Sequence, residues 1–169
     1  MITAFNLNHF IKELIKIGHF LFLDIFTLGR SDLFCRFILM THYTDIKELI
    51  PKHKHDQKVI ADLKKLSFEQ LKPIIPELLE WMQDMNWPIG RPIADILKPF
   101  ADKIIPEIIE ILRTNDGMWE LWILINLARD TTDPTLLSEI ERIAKFPSKM
   151  EIEDEVNLEA IAILNGDYK

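Results

Sequence analysis

Ile74-Ile75-Pro76-Glu77-Leu78-Leu79-Glu80-Trp81-Met82 decides how this chain is read, because it recurs thirty residues later as Ile104-Ile105-Pro106-Glu107-Ile108-Ile109-Glu110-Ile111-Leu112. A fainter third copy opens at Pro134, as Pro134-Thr135-Leu136-Leu137-Ser138-Glu139-Ile140. Self-similarity at roughly 30 residues marks a helical repeat, in which one helix pair cannot bury its apolar face until a neighbour stacks on it. No segment alternates polar and apolar residues with period two over a strand's length, so no sheet is expected. The expected fold class is all-α, a short α-solenoid of about three antiparallel helix pairs.

Working outward from the first copy, Pro73 and Pro76 stand close together. Proline is tolerated in the first turn of a helix and disruptive beyond it. The reading is therefore a short turn over 68–71, a break, and a helix over about 74–84 that buries Ile75, Leu78, Leu79 and Met82. Upstream, Ser67 with Gln70 three residues on fits a capping box. Asp56 suits the N-cap of a helix over 57–66 with a buried stripe of Val59, Ile60, Leu63 and Leu66. Downstream, Asn86-Trp87-Pro88 is a corner, with Pro88 suited to a first helical position. Ile93, Ala94, Ile96, Leu97 and Phe100 then form an apolar face, and a second unit starts near Asp102. It buries Ile104, Ile105, Ile108, Ile109 and Leu112 and stops at Thr114-Asn115-Asp116-Gly117. The segment 118–129 is apolar on nearly every side, which predicts a central helix covered on both faces. A third pair is expected over 135–145 and about 153–164, ending at Asn165-Gly166.

The 169 residues carry 48% apolar and 28% charged residues, ordinary for one globular domain. The formal net charge is -7. Residues 1–44 hold four Lys/Arg and three Asp/Glu; removing them from the totals of 20 and 27 leaves residues 45–169 with 16 and 24, a net of -8. An acidic balance argues against nucleic acid, whose phosphates need a basic stripe. Cys35 is the single cysteine, which excludes a disulfide framework and favours a reducing, cytoplasmic setting.

Residues 1–39 differ from the rest. Seven of the ten Phe residues lie there: Phe5, Phe10, Phe20, Phe22, Phe26, Phe34 and Phe37. Asp24, Arg30, Asp32 and Arg36 interrupt the apolar runs, so no stretch reaches the ~20 residues of a bilayer span. No convincing small-x-small cleavage site follows them. Three readings fit: added helices covering one end of the stack, an interfacial amphipathic segment, or a translation start at Met40. The abrupt change in composition favours the last. The expected organisation is an atypical N-terminal extension over 1–39 and a helical-repeat domain over 40–169, with no membrane attachment unless the extension is made.

Leu49-Ile50-Pro51-Lys52-x-Lys54-x-Asp56, Leu63-Lys64-Lys65-Leu66-Ser67 and Leu78-Leu79-Glu80-Trp81-Met82-Gln83-Asp84-Met85-Asn86-Trp87-Pro88 carry a resemblance to a known family. Met118-Trp119-Glu120-Leu121-Trp122 adds to it. Over about residues 45–164 the chain resembles a bacterial family catalogued as a domain of unknown function (number five thousand and seventy-one). The resemblance implies an α-helical, HEAT-like repeat and no assigned catalytic residue.

Glu77 and Glu80 share a helix face, as do Glu107 and Glu110 one unit later. A carboxylate on one helix is usually just solvated; repetition at the same place in two units is what suggests an acidic ridge, since solenoids bind along such ridges. Asp84, Asn86 and Trp87 form the second candidate, an exposed indole beside two hydrogen-bonding groups. The plainer reading there is a helix-capping turn with Trp87 packed against the next helix. His53 and His55 are weak candidates for a metal, since Lys52 and Lys54 repel a cation. There is no phosphate loop, no Gly-x-Ser-x-Gly elbow and no His-Glu-x-x-His, and no cofactor is expected. The expected function is a non-catalytic protein-interaction module, immunity- or regulator-like towards a basic partner. The alternative is a HEAT-like enzyme acting on a nucleobase or small ligand.

Overall fold

The computed structural model describes residues 45–168, which fall within one compact unit. The extension 1–39 and the Met40 start lie outside the described residues. A 3-10 turn, Ile46–Leu49, opens the described chain, with the Asp45 side chain accepting the Lys47 N–H at 3.0 Å. Asp56 does not cap a helix over 57–66. It accepts the Lys52 N–H at 3.2 Å and closes the loop behind it, so α1 is the single turn Ile60–Leu63. Its stripe is as read: Val59, Ile60, Leu63 and Leu66 are buried.

α2 (Phe68–Leu71) opens on the capping box, in which the Ser67 N–H donates to Gln70 Oε1 at 3.1 Å. Pro73 and Pro76 lack the N–H that an α-helix needs, and the chain tightens to a 3-10 turn, Lys72–Ile74, before α3 (Ile75–Glu80). α3 stops four residues short of the expected end, at the turn that Asp84 and Asn86 stabilise. Pro88 lies in that turn and not at a first helical position; α4 begins two residues later (Gly90–Leu97) and runs into a 3-10 segment, Lys98–Lys103. α5 is Ile105–Ile111.

The first two proline-headed copies enter their helices with similar local backbone geometry. Ile74 before α3 has φ -122° and ψ 5°, and Ile104 before α5 has φ -119° and ψ 23°; both side chains are fully buried. Ile74 is the last residue of a 3-10 turn and Ile104 directly follows one, and each precedes a helix with proline in its first turn. The third copy enters differently. Asp133 is extended (φ -69°, ψ 125°), and its carboxylate accepts from the Thr135 and Leu136 N–H groups.

After Asn115, at φ 63°, Asp116 caps α6 (Gly117–Ile123) by accepting the Trp119 N–H. α6 continues as a wide π turn, Leu124–Ala128. α7 is Pro134–Lys145. α8 (Lys149–Glu153) begins on a capping box between Ser148 and Glu151, and Glu155 at φ 61° breaks the expected 153–164 helix before α9 (Val156–Asn165). Gly166, at φ 75°, ends it in the left-handed conformation that glycine adopts without strain.

Among the described residues there is no strand, and no helix is long and apolar enough to cross a membrane. The molecule is all-α. α6 and its π turn meet α5, α8 and α9, and the π turn also meets α4 and the 3-10 segment after it. They are not covered on both faces as expected: Met118 is exposed, and Leu121, Trp122 and Ile125 are half-buried. The most extensive helix pairing is α7 with α9. α3 makes its main helix contact with α4, while α5 packs on α6 and α7. The Trp119 indole N–H donates to the Leu79 carbonyl at 3.1 Å, which ties α6 to α3 as well.

Candidate functional site

The two proline-headed helices present their acids in the same way. Glu77 and Glu107 are half-buried, and Glu80 and Glu110, one turn on, are exposed. Among the described residues none of these four side chains makes a hydrogen bond or ion pair, and Glu107 Oε2 is buried without a partner. Other carboxylates of the same domain are engaged. Lys145 pairs with Glu141 and Lys149 with Glu153, each four residues along a helix. Glu69, Asp95 and Asp102 also lack a cation among the described residues, so the acids of α3 and α5 stand out only by recurring at equivalent positions in two copies.

The corner residues serve their own turn. Asp84 Oδ1 accepts the Asn86 backbone N–H at 2.9 Å and the Asn86 side-chain amide at 3.0 Å, so both polar groups are committed to each other. Trp87 stands edge-on to Trp81, ring centroids 5.5 Å apart, with both indoles half-buried. This pair belongs to one surface that α3 and the corner share. Gly90 follows because a Cβ there would sit 3.2 Å from the Asp84 carbonyl. His53 and His55 are exposed, with the His55 N–H donating to His53 Nδ1 at 3.3 Å. Among the described residues no group of three or more His, Cys, Asp or Glu could hold a metal ion.

Sequence reading missed a network in which buried carboxylates are met by partly exposed guanidinium groups. Arg142 Nε donates to Glu139 Oε1 at 2.6 Å, and its Nη2 donates to Glu151 Oε1 at 2.6 Å and to the Leu112 carbonyl at 3.2 Å. Arg113 approaches Glu139 from the other side, Nη2 to Oε2 at 2.5 Å. Glu139 and Glu151 are buried, and Glu151 also accepts the Ser148 N–H. Burial opposes the charge on Glu139, but the hydrogen bonds from Arg113 and Arg142 hold its carboxyl below the usual range. The hydrogen bond to Glu151 raises Arg142.

Glu120 is the exception in this network. It is 1% exposed, its Oε2 has no partner, and burial, with the charge of Glu151 second, pushes its carboxyl up to about 7. The backbone of Asn115 and the charge of Arg142 pull the other way, and Asp116 adds to the rise. Two signals were legible, the Ser148-x-x-Glu151 capping pattern and the i, i+3 pair Glu139 and Arg142. Neither says that Glu120 will meet them.

A model of the family described as "Domain of unknown function (DUF5071)" matches residues 49–164. More than half of the chain is covered, and the chain belongs to that family. Comparison with curated proteins returns no match.

Proposed function

We propose that this chain, as a member of that family, is a non-catalytic helical-repeat module that binds a basic protein, with Glu77, Glu80, Glu107 and Glu110 forming the contact face. One observation carries the reading: two units with the same backbone geometry hold unpartnered carboxylates at equivalent positions. The exposed carboxylates of Glu80 and Glu110 need no internal cation and are free to meet a cation on a partner. Arg113, Arg129 and Arg142 are occupied by Glu139, Glu159 and Glu151, so none of the three serves the acids of α3 and α5. Stacking of the units as a HEAT-like solenoid, a contribution from the Asp84, Asn86 and Trp87 corner, a cytoplasmic setting and an immunity- or regulator-like role are parts of the same proposal. The shared geometry at Ile74 and Ile104 supports the repeat.

The test is paired affinity capture from the native host with the wild-type chain and with Glu80→Lys combined with Glu110→Lys. The expected result is a basic protein recovered at least tenfold better by the wild type, with recovery falling as salt rises. Equal recovery by both would remove the acidic face.

A further inference from the structure

We propose that the cleft beside the π turn of α6 binds a small zwitterion, an α-amino acid of roughly six non-hydrogen atoms. This inference does not rest on the acidic-face reading. The cleft, about 150 Å³, lies between the 3-10 segment Lys98–Lys103 and the π turn with the residues just after it. A cavity of about that volume holds a molecule the size of benzene. π turns within α-helices recur at functional sites, since the wider turn redirects side chains that an α-helix would place elsewhere.

The lining offers spare groups of both signs. Lys98 Nζ and Asp130 Oδ2 face each other at 4.0 Å with both side chains largely exposed, a pair of little strength that a ligand can open. Asp102 has no ion pair or hydrogen bond among the described residues. Arg129 gives Nε and Nη2 to Glu159 and stacks on Tyr168, its Cζ 3.9 Å from the ring centroid, while Nη1 has no partner among the described residues. Thr131 is 7% exposed; its Oγ1 accepts the Asp133 N–H at 3.2 Å, and its own hydroxyl proton goes to no described acceptor. Asn126 spends its amide on the Trp122 carbonyl at 2.7 Å, and its Oδ1 accepts from no described residue.

Lys98, Arg129 Nη1 and the Thr131 hydroxyl thus suit a carboxylate, and Asp102, Asp130 and Asn126 Oδ1 suit an ammonium. A simple anion would meet two carboxylates here, and a simple cation would meet Lys98 and Arg129. A molecule with both charges a few bonds apart answers both halves of the lining.

The test is an NMR titration of the full chain with glycine, alanine and serine, and with acetate and methylammonium as half-ligands at fixed ionic strength. At least one amino acid is expected to shift the Asn126 side-chain amide and the Thr131 amide, with a dissociation constant at least tenfold below those of both half-ligands. Lys98→Ala and Asp102→Asn, both exposed and so tolerated by the fold, are each expected to weaken it at least tenfold. The proposal is overturned by half-ligands that bind as tightly, by variants that bind unchanged, or by no shift at either residue up to about 20 mM ligand.

Discussion

Glu120 sets the pH dependence that the interior should show. Its folded carboxyl titrates at about 7, above the ordinary value of 4.5, so the folded state holds the proton more tightly than the unfolded chain does. The stability this group contributes is full below the ordinary value and is lost as pH rises through about 7. A rise of that size corresponds to about 3 kcal/mol. Glu120→Gln should therefore flatten the stability curve between pH 5 and pH 8, as read by urea unfolding at several pH values, and an unchanged slope would show that another group is responsible. Arg142 is the complementary case. Arg142→Met leaves Glu139 and Glu151 buried with fewer counter-charges and should cost about 3 kcal/mol at pH 7, partly restored when Glu151→Gln is added. These residues were hard to read from the chain because a buried glutamate is chemically identical to an exposed one. Glu120 comes near Glu151 only through packing of α6 on α8. Ser67 with Gln70, by contrast, act within one turn and were legible at once.

At the scale of the element, apolar periodicity located most helices but overran their ends. The stripe Val59, Ile60, Leu63 and Leu66 is buried as read, yet only Ile60–Leu63 is helical, because Asp56 is spent on the loop from Lys52. Likewise 153–164 reads as one helix, while the chain bends at Glu155 and Ser148 starts a separate turn, α8. That turn explains Gly117. A Cβ there would stand 2.9 Å from Asp154 Cβ and from the Met150 carbonyl, so the first turn of α6 and the end of α8 need a residue without one. Gly117→Ala should cost about 2 kcal/mol despite alanine's higher helix propensity. Gly90→Ala meets its neighbours at 3.2 Å or more, and its strain is offset by the helical gain; the change should stay within about 1 kcal/mol. Thermal unfolding of the two variants checks the ordering, and a Gly90 variant that is the less stable one would contradict it.

For the whole molecule, the sequence reads as two proline-headed copies and a fainter third; the first two enter their helices with similar backbone angles at Ile74 and Ile104, while the third is capped by Asp133. All-α architecture followed from the lack of period-two segments, whereas the choice of neighbours could not follow, since contact between helices depends on side chains far apart in the chain. The acidity of the surface was legible as a net charge but not as a pattern. Charge alone does not say which carboxylates are consumed by Arg113, Arg129 and Arg142 and which stay without a partner. Zero-length carbodiimide crosslinking of the captured complex, mapped by mass spectrometry, tests the central claim most directly. Partner lysines joined to Glu80 and Glu110 are the expected result; a complex whose crosslinks all fall on other carboxylates, with both of these unmodified by the partner, would contradict the acidic contact face.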